Sequence, residues 1–283
     1  MSQQLTGYPS IDKPWLKYYS EQSRKVDVPE CSIYDFIWEN NKDHPNDIAL
    51  VFFDKRITYG QLFREIDKTA AAFLSLGIKK GDIVVMMVLN QPETVYTIYA
   101  LNKIGAITCM INVLSSQEEI EHYLHEGSPK WMIVLDLFAE KAYKAAKKAS
   151  INKMICLPLY NSCSIIKKVA YRLKVKKIIK DDLVIYWSDM LRNANHVTMK
   201  SEKHNPLSCS VIGHTGGTTG FPKGVMLSDV SFNSTEPLSW WTMPPARKQP
   251  GKPSRAWRKQ RNHGRKPKRI PSTAGARACP SLE

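Results

Sequence analysis

The sequence is short of the patterns that hold metals, disulfide scaffolds or membranes. Its six cysteines, Cys31, Cys109, Cys156, Cys163, Cys209 and Cys279, include no C-x-x-C pair, and no histidine falls at metal-ligand spacing. That excludes a zinc site or a disulfide framework and fits a reducing cytoplasm. No apolar run reaches the ~18 residues that a membrane-spanning helix needs. Residues 94–111 come nearest, and Asn102 and Lys103 interrupt them. The start, Met1-Ser2-Gln3-Gln4, lacks the basic and apolar blocks of a secretory signal. A soluble, cytoplasmic protein is expected.

Acidic residues are also scarce, and unevenly so. From Asn233 onward twelve Lys and Arg face only Glu236 and Glu283, so this stretch carries +10 of the net +15. The basic balance therefore describes the end of the sequence and assigns no nucleic-acid partner to the rest. A hydrophobic content of 43 % is enough for a buried core, and 283 residues hold one large domain or two ordinary ones.

Residues 1–30 contain too many breakers, Pro9 and Pro14 among them, for a regular element, and an extended arm is expected. From Cys31 the pattern becomes regular. Ile33, Phe36 and Ile37 suggest a helix ending near His44-Pro45, and residues 48–53 read as a strand turned back at Asp54-Lys55. Thr58 and Gln61 form a capping-box pattern. Leu62, Ile66, Ala70, Phe73 and Leu76 follow at helical spacing, and Gly77 ends that helix. Residues 83–89 form an unbroken apolar run, the mark of a strand buried on both faces.

Pro92 and Glu93 open the next helix, which runs to Ile104-Gly105, and residues 106–111 read as a strand. A helix opened by Ser115, Ser116, Glu118 and Glu119 closes near Gly127. Residues 131–135 are strand-like, 138–148 helical and 154–157 strand-like again. Such alternation predicts an α/β fold with a mostly parallel, doubly wound sheet, whose ligands sit at the carboxyl ends of strands. Between Cys156 and Pro206 the pattern weakens. Residues 165–180 suit a basic amphipathic helix that covers the sheet, with peripheral membrane contact as the other reading. Trp187, His196 and His204 read as packing or surface residues, since no partner is legible for them.

The chemistry concentrates in one loop, Gly213-His214-Thr215-Gly216-Gly217-Thr218-Thr219-Gly220-Phe221-Pro222-Lys223-Gly224, between the apolar runs Val211-Ile212 and Val225-Met226-Leu227. Glycines let backbone N–H groups turn toward an anion, threonine hydroxyls rotate toward phosphate oxygens, and Lys223 adds a full charge. The implied ligand is a polyphosphate. The Gly-Lys-Ser/Thr order of the common nucleoside-triphosphatase loop is missing, since Lys223 stands between Pro222 and Gly224.

The string TGGTTGFPKG resembles the phosphate-binding signature of the AMP-forming acyl-CoA synthetases, T-S/G-G-T/S-T-G-x-P-K-G. Further landmarks agree in order: Ile57-Thr58-Tyr59-Gly60-Gln61-Leu62, Gly77-Ile78-Lys79-Lys80-Gly81-Asp82-Ile83-Val84 and Ala100-Leu101-Asn102-Lys103-Ile104-Gly105-Ala106. The resemblance covers residues 32–232 and implies a truncated N-terminal domain of an adenylate-forming enzyme. The Gly216-Gly217 variant is closest to bacterial long-chain fatty acid–CoA ligases. His214 departs from the family's usual aromatic residue, and Asp229 stands where the family has histidine in its L-S/T-H-x-N helix start.

The resemblance implies attack of a carboxylate on the α-phosphate of Mg2+-bound ATP, then displacement of AMP by coenzyme A. It places Thr215, Thr218, Thr219 and Lys223 on the phosphates, with Gly216, Gly217, Gly220 and Gly224 shaping the backbone. The family's later segments have no counterpart here: Y-G-x-T-E, which helps bind magnesium and adenylate, the ribose aspartate and the late catalytic lysine. No catalytic or metal-ligating residue is therefore assigned, and the 283 residues are expected to be catalytically incompetent. Residues 233–283 have no Val or Phe, frequent proline and no periodicity, so disorder is expected. Out-of-frame translation is the favoured origin of this stretch. A targeting sequence and a basic nucleic-acid arm with stacking tryptophans are the alternatives. The last would make the chain a nucleotide-binding half-domain without enzymatic activity.

Overall fold

A computed structural model describes residues 6–18, 28–159, 171, 179–192, 194, 201–215 and 222–234. The residues expected to form the basic amphipathic helix, except Tyr171, Ile179 and Lys180, lie outside the described residues. So do His196, the middle of the glycine-rich loop, and residues 235–283.

The first element is a helical turn, α1 (Pro9–Asp12), followed by a 3-10 turn at Pro14–Tyr18. This differs from the extended arm that the prolines suggest. Pro9 stands at the start of the turn, where its missing N–H costs nothing. The Asp12 carboxylate accepts the Thr6 and Gly7 backbone N–H groups, which closes the segment on itself. Next come α2 (Ile33–Asn41) and the hairpin β1 (Ile48–Phe52) and β2 (Lys55–Thr58). The long helix α3 (Tyr59–Ser75) begins at the expected capping box: Thr58 and Gln61 satisfy each other's backbone N–H groups. Gly77 follows it at φ 92°, a left-handed conformation that other residues adopt only with strain.

The core then alternates strand and helix: β3 (Ile83–Met87), α4 (Pro92–Lys103), β4 (Ile107–Met110), α5 (Gln117–His125), β5 (Trp131–Leu135), α6 (Ala139–Lys148) and β6 (Lys153–Leu157). Two elements that the sequence pattern left unread follow, β7 (Val184–Tyr186) and α7 (Trp187–Arg192). Trp187 is buried and meets Phe73 of α3 edge-on, so it packs as expected. The described chain closes with β8 (Cys209–His214), β9 (Gly224–Ser228) and α8 (Asp229–Asn233).

Among the described residues seven strands form one sheet in the order β7-β6-β5-β3-β4-β8-β9. Every pairing is parallel except β8 with β9. The expected mostly parallel, doubly wound sheet is thus present, and the β9 edge is antiparallel rather than parallel. Alternate residues of β3 feed two separate cores. Val84 and Met86 join Phe73, Ile66 and Leu101 beneath α3, α4 and α7. Val85 and Met87 join Ile120, Leu124 and Ala142 beneath α5 and α6. Period-two alternation in a strand covered on both faces produces this division. Among the described residues no helix is long and apolar enough to cross a membrane.

Candidate functional site

The sheet order fixes where a ligand has room. From β4 the chain leaves through α5 toward β5, on one side, whereas from β8 it leaves toward β9, on the other. Adjacent strands whose connections diverge at their carboxyl ends open a crevice there. Met110 of β4 pairs with Gly213 of β8 at that end, so the glycine-rich loop leaves the sheet beside the crevice.

The two shoulders of the loop are held together. The Thr215 N–H donates to the Lys223 carbonyl at 3.1 Å, and His214 pairs with Gly224 in the antiparallel ladder. Thr215 and Lys223 are exposed. Among the described residues no carboxylate pairs with Lys223, which leaves its ammonium available to an anion. Of the expected site residues, the structure brings Thr215, Lys223 and Gly224 together. Gly216, Gly217, Thr218, Thr219 and Gly220 lie outside the described residues.

His214, at the position where the family usually has an aromatic residue, packs as a ring against another ring. Its ring meets Tyr123 of α5 edge-on with centroids 4.4 Å apart. Nδ1 lies 3.0 Å from the Met110 carbonyl, so Nδ1 carries a proton and donates. Nε2 lies 3.6 Å from a carboxylate oxygen of Glu126. Gly224 makes room for this arrangement. A β-carbon there would stand 3.3 Å from the Ile212 methyl, 3.4 Å from Glu126 Oε1 and 3.5 Å from His214 Nε2.

Sequence reading missed a second group of residues behind the outgoing shoulder. Asp229, the first residue of α8, is fully buried. Its Oδ1 accepts from Asn102 Nδ2 and its Oδ2 from His204 Nε2, both at 2.6 Å. The Tyr34 N–H donates to Asn102 Oδ1 at 2.9 Å, which fixes the orientation of that amide. His204 Nδ1 faces the Glu202 carbonyl at 3.1 Å. The hydrogen bond to the Asp229 carboxylate is the largest cause holding His204 above its ordinary pKa of 6.5; burial opposes it. Beside this group the Lys103 ammonium pairs with Asp67 and donates to the Tyr34 hydroxyl at 3.0 Å. The two polar residues that interrupt the apolar run of α4 are thus both buried and partnered. Asn233, first residue of the expected tail, is buried too, and its Nδ2 donates to the Cys31 carbonyl at 2.9 Å.

Among the described residues no three His, Cys, Asp or Glu side chains gather to hold a metal ion. The described residues form a doubly wound α/β domain with the shoulders of a Gly/Thr/Lys loop at a switch point of its sheet, where proteins of this architecture bind ligands. The chain belongs to the AMP-binding enzyme family, whose model matches residues 37–250. The match extends past Phe232, into the basic stretch.

Relatives bear out the resemblance to acyl-CoA synthetases. The long-chain-fatty-acid–CoA ligase of Bacillus subtilis is 28 % identical over 242 residues, covering 81 % of this chain and 42 % of that protein. The acetyl-coenzyme A synthetase of Helicobacter acinonychis is 27 % identical over 252 residues, covering 81 % and 36 %. The crystal structure of an anthranilate CoA ligase in complex with anthranoyl-AMP shares the fold, with TM-score 0.62 at 19 % identity over 76 % of this chain and 38 % of that one. The chain spans about two fifths of the length of the curated relatives it matches.

Proposed function

We propose that this chain is the N-terminal part of an ATP-dependent carboxylic acid–CoA ligase. Its glycine-rich loop holds the β- and γ-phosphates of ATP. The position of the loop carries this reading: it leaves the carboxyl end of β8 with Thr215 and the exposed Lys223, which no carboxylate pairs among the described residues, at its two shoulders. Backbone N–H groups, hydroxyls and one ammonium suit a polyphosphate, and preorganised donors there stabilise charge on the transferring phosphate.

In the reaction proposed, a substrate carboxylate oxygen bonds to the α-phosphorus of ATP, and pyrophosphate leaves. The coenzyme A thiol then loses its proton and attacks the acyl carbon, and AMP leaves. Magnesium, when bound to ATP, offsets phosphate charge. In this chain the loop grips and orients the leaving pyrophosphate. The acid is not assigned beyond its class, because the similar proteins include fatty-acid and acetate enzymes.

The 283 residues alone are proposed not to complete the reaction. The Y-G-x-T-E segment, the ribose aspartate and the late lysine implied by the family have no counterparts among them. The expected result is binding of MgATP without ATP–pyrophosphate exchange in the presence of fatty acids. Exchange by this chain would overturn the incompetence, and failure to bind ATP would overturn the phosphate role.

A further inference from the structure

The outgoing shoulder of the loop lies on a strand that is paired on one side only among the described residues. β9 forms an edge of the described sheet, with Val225 and Met226 exposed, and its pairing with β8 shifts register between Cys209 and Val211. Just beyond that irregularity the chain enters α8, only five residues long. So short a helix has little stability of its own and needs tertiary anchors.

The anchors are polar and buried. We infer that His204, Asn102 and Asp229 form a positioning device that clamps α8 onto α4 and so sets the register of β9 and the place of Lys223 in the phosphate loop. This rests on the phosphate reading of the loop given above. None of the three residues lies in the loop, and none is proposed to touch substrate.

The network has a defined protonation state. Both ring nitrogens of His204 face acceptors, the Asp229 carboxylate at 2.6 Å and the Glu202 carbonyl at 3.1 Å, so each must donate. The ring is therefore an imidazolium, and it balances a carboxylate that is wholly buried. Removing one member of a buried charge pair leaves the other uncompensated. Asn102 cannot substitute for the ring, because its amide is already committed to Tyr34 on one side and Asp229 on the other.

Among the described residues, Lys80 and Glu202 add further charges near His204. Lys80 Nζ lies 3.4 Å from Glu202 Oε1 and opposes the imidazolium. The sign follows from the raised pKa. The charge of the imidazolium strengthens the clamp fully below the ordinary value of 6.5, and that contribution is lost as pH rises through the higher value of the folded chain.

The test is hydrogen–deuterium exchange on the full 283-residue chain, reading the backbone amides of residues 224–234 against those of α3 and β3. Corrected for intrinsic rates, exchange in 224–234 should accelerate as pH rises through the titration of His204. In His204→Gln it should be about 10- to 100-fold faster at low pH and lose the step, as expected when a charged hydrogen bond is removed. α3 and β3 should not change. Affinity for MgATP and for inorganic tripolyphosphate should show the same pH step, absent in the variant. Unchanged exchange in 224–234 would overturn the clamp. Ring nitrogen shifts of His204 in the unaltered chain check the proposal without any variant, and a ring that titrates at or below the ordinary value of 6.5 would overturn it. Failure of ATP and tripolyphosphate to bind would overturn the phosphate reading, while exchange and the ring titration decide the clamp.

Discussion

The centre of the sheet and the shoulders of the loop are built on different principles. Val84 to Met87 of β3 and Met132 to Leu135 of β5 are fully buried, and what they contribute is apolar area. Such burial stabilises by about 1.5–3 kcal/mol for each large side chain and has no directional requirement. β8 is half-buried and β9 more exposed still. There the order comes from single polar contacts: His214 with the Met110 carbonyl, Thr215 with the Lys223 carbonyl, Asp229 with Asn102 and His204. A scaffold that depends on area tolerates local change, whereas a ligand loop that depends on a few directed bonds can be displaced by losing one.

The comparison breaks most sharply at Phe73, which has no exposed surface and packs against Trp187. Phe73→Ala should lower unfolding free energy by about 3–5 kcal/mol in denaturant titration, since the cavity adds to the lost transfer energy. A loss below about 1 kcal/mol would mean that the core beneath α3 collapses around the deletion. Thr58→Ala removes one side of the capping box at the start of α3. It should cost about 1 kcal/mol and leave nucleotide affinity unchanged. A change in affinity with that variant would show that the scaffold and the loop are not separable in this way.

What could be read from the sequence follows the same division. β5 is recovered with its expected limits, the capping box at Thr58 stands where its spacing puts it, and the helix expected to open at Ser115 to Glu119 does so, on a capping box at Ser116. These signals are local: an apolar run, a periodic face, a cap three residues from its partner. β7 and α7 escaped because three strand residues and six helical ones are too short to show a period. The turn at Pro9–Asp12 is not legible because a proline signals a breaker and a helix start alike.

The loop itself was legible because its residue types name their chemistry. Its supports were not. Asn102 and Asp229 are 127 positions apart, and Met110 and His214 are 104 apart. Nothing in the local pattern at His204 marks it as the partner of an aspartate 25 positions later. Asp229 looked like a departure from the family's helix start, and in the folded chain its carboxylate is the centre of a buried network. The polar residues of α4 looked like interruptions for the same reason.

The measurement that bears most directly on this account is calorimetric titration of MgATP into the chain and into Lys223→Ala. Lys223 is exposed and has no carboxylate partner among the described residues, so its loss should leave the melting temperature unchanged. Affinity should fall about 10- to 100-fold, the worth of a charge-assisted contact to phosphate. Equal affinity in the two proteins would contradict the assignment of this loop as the phosphate grip.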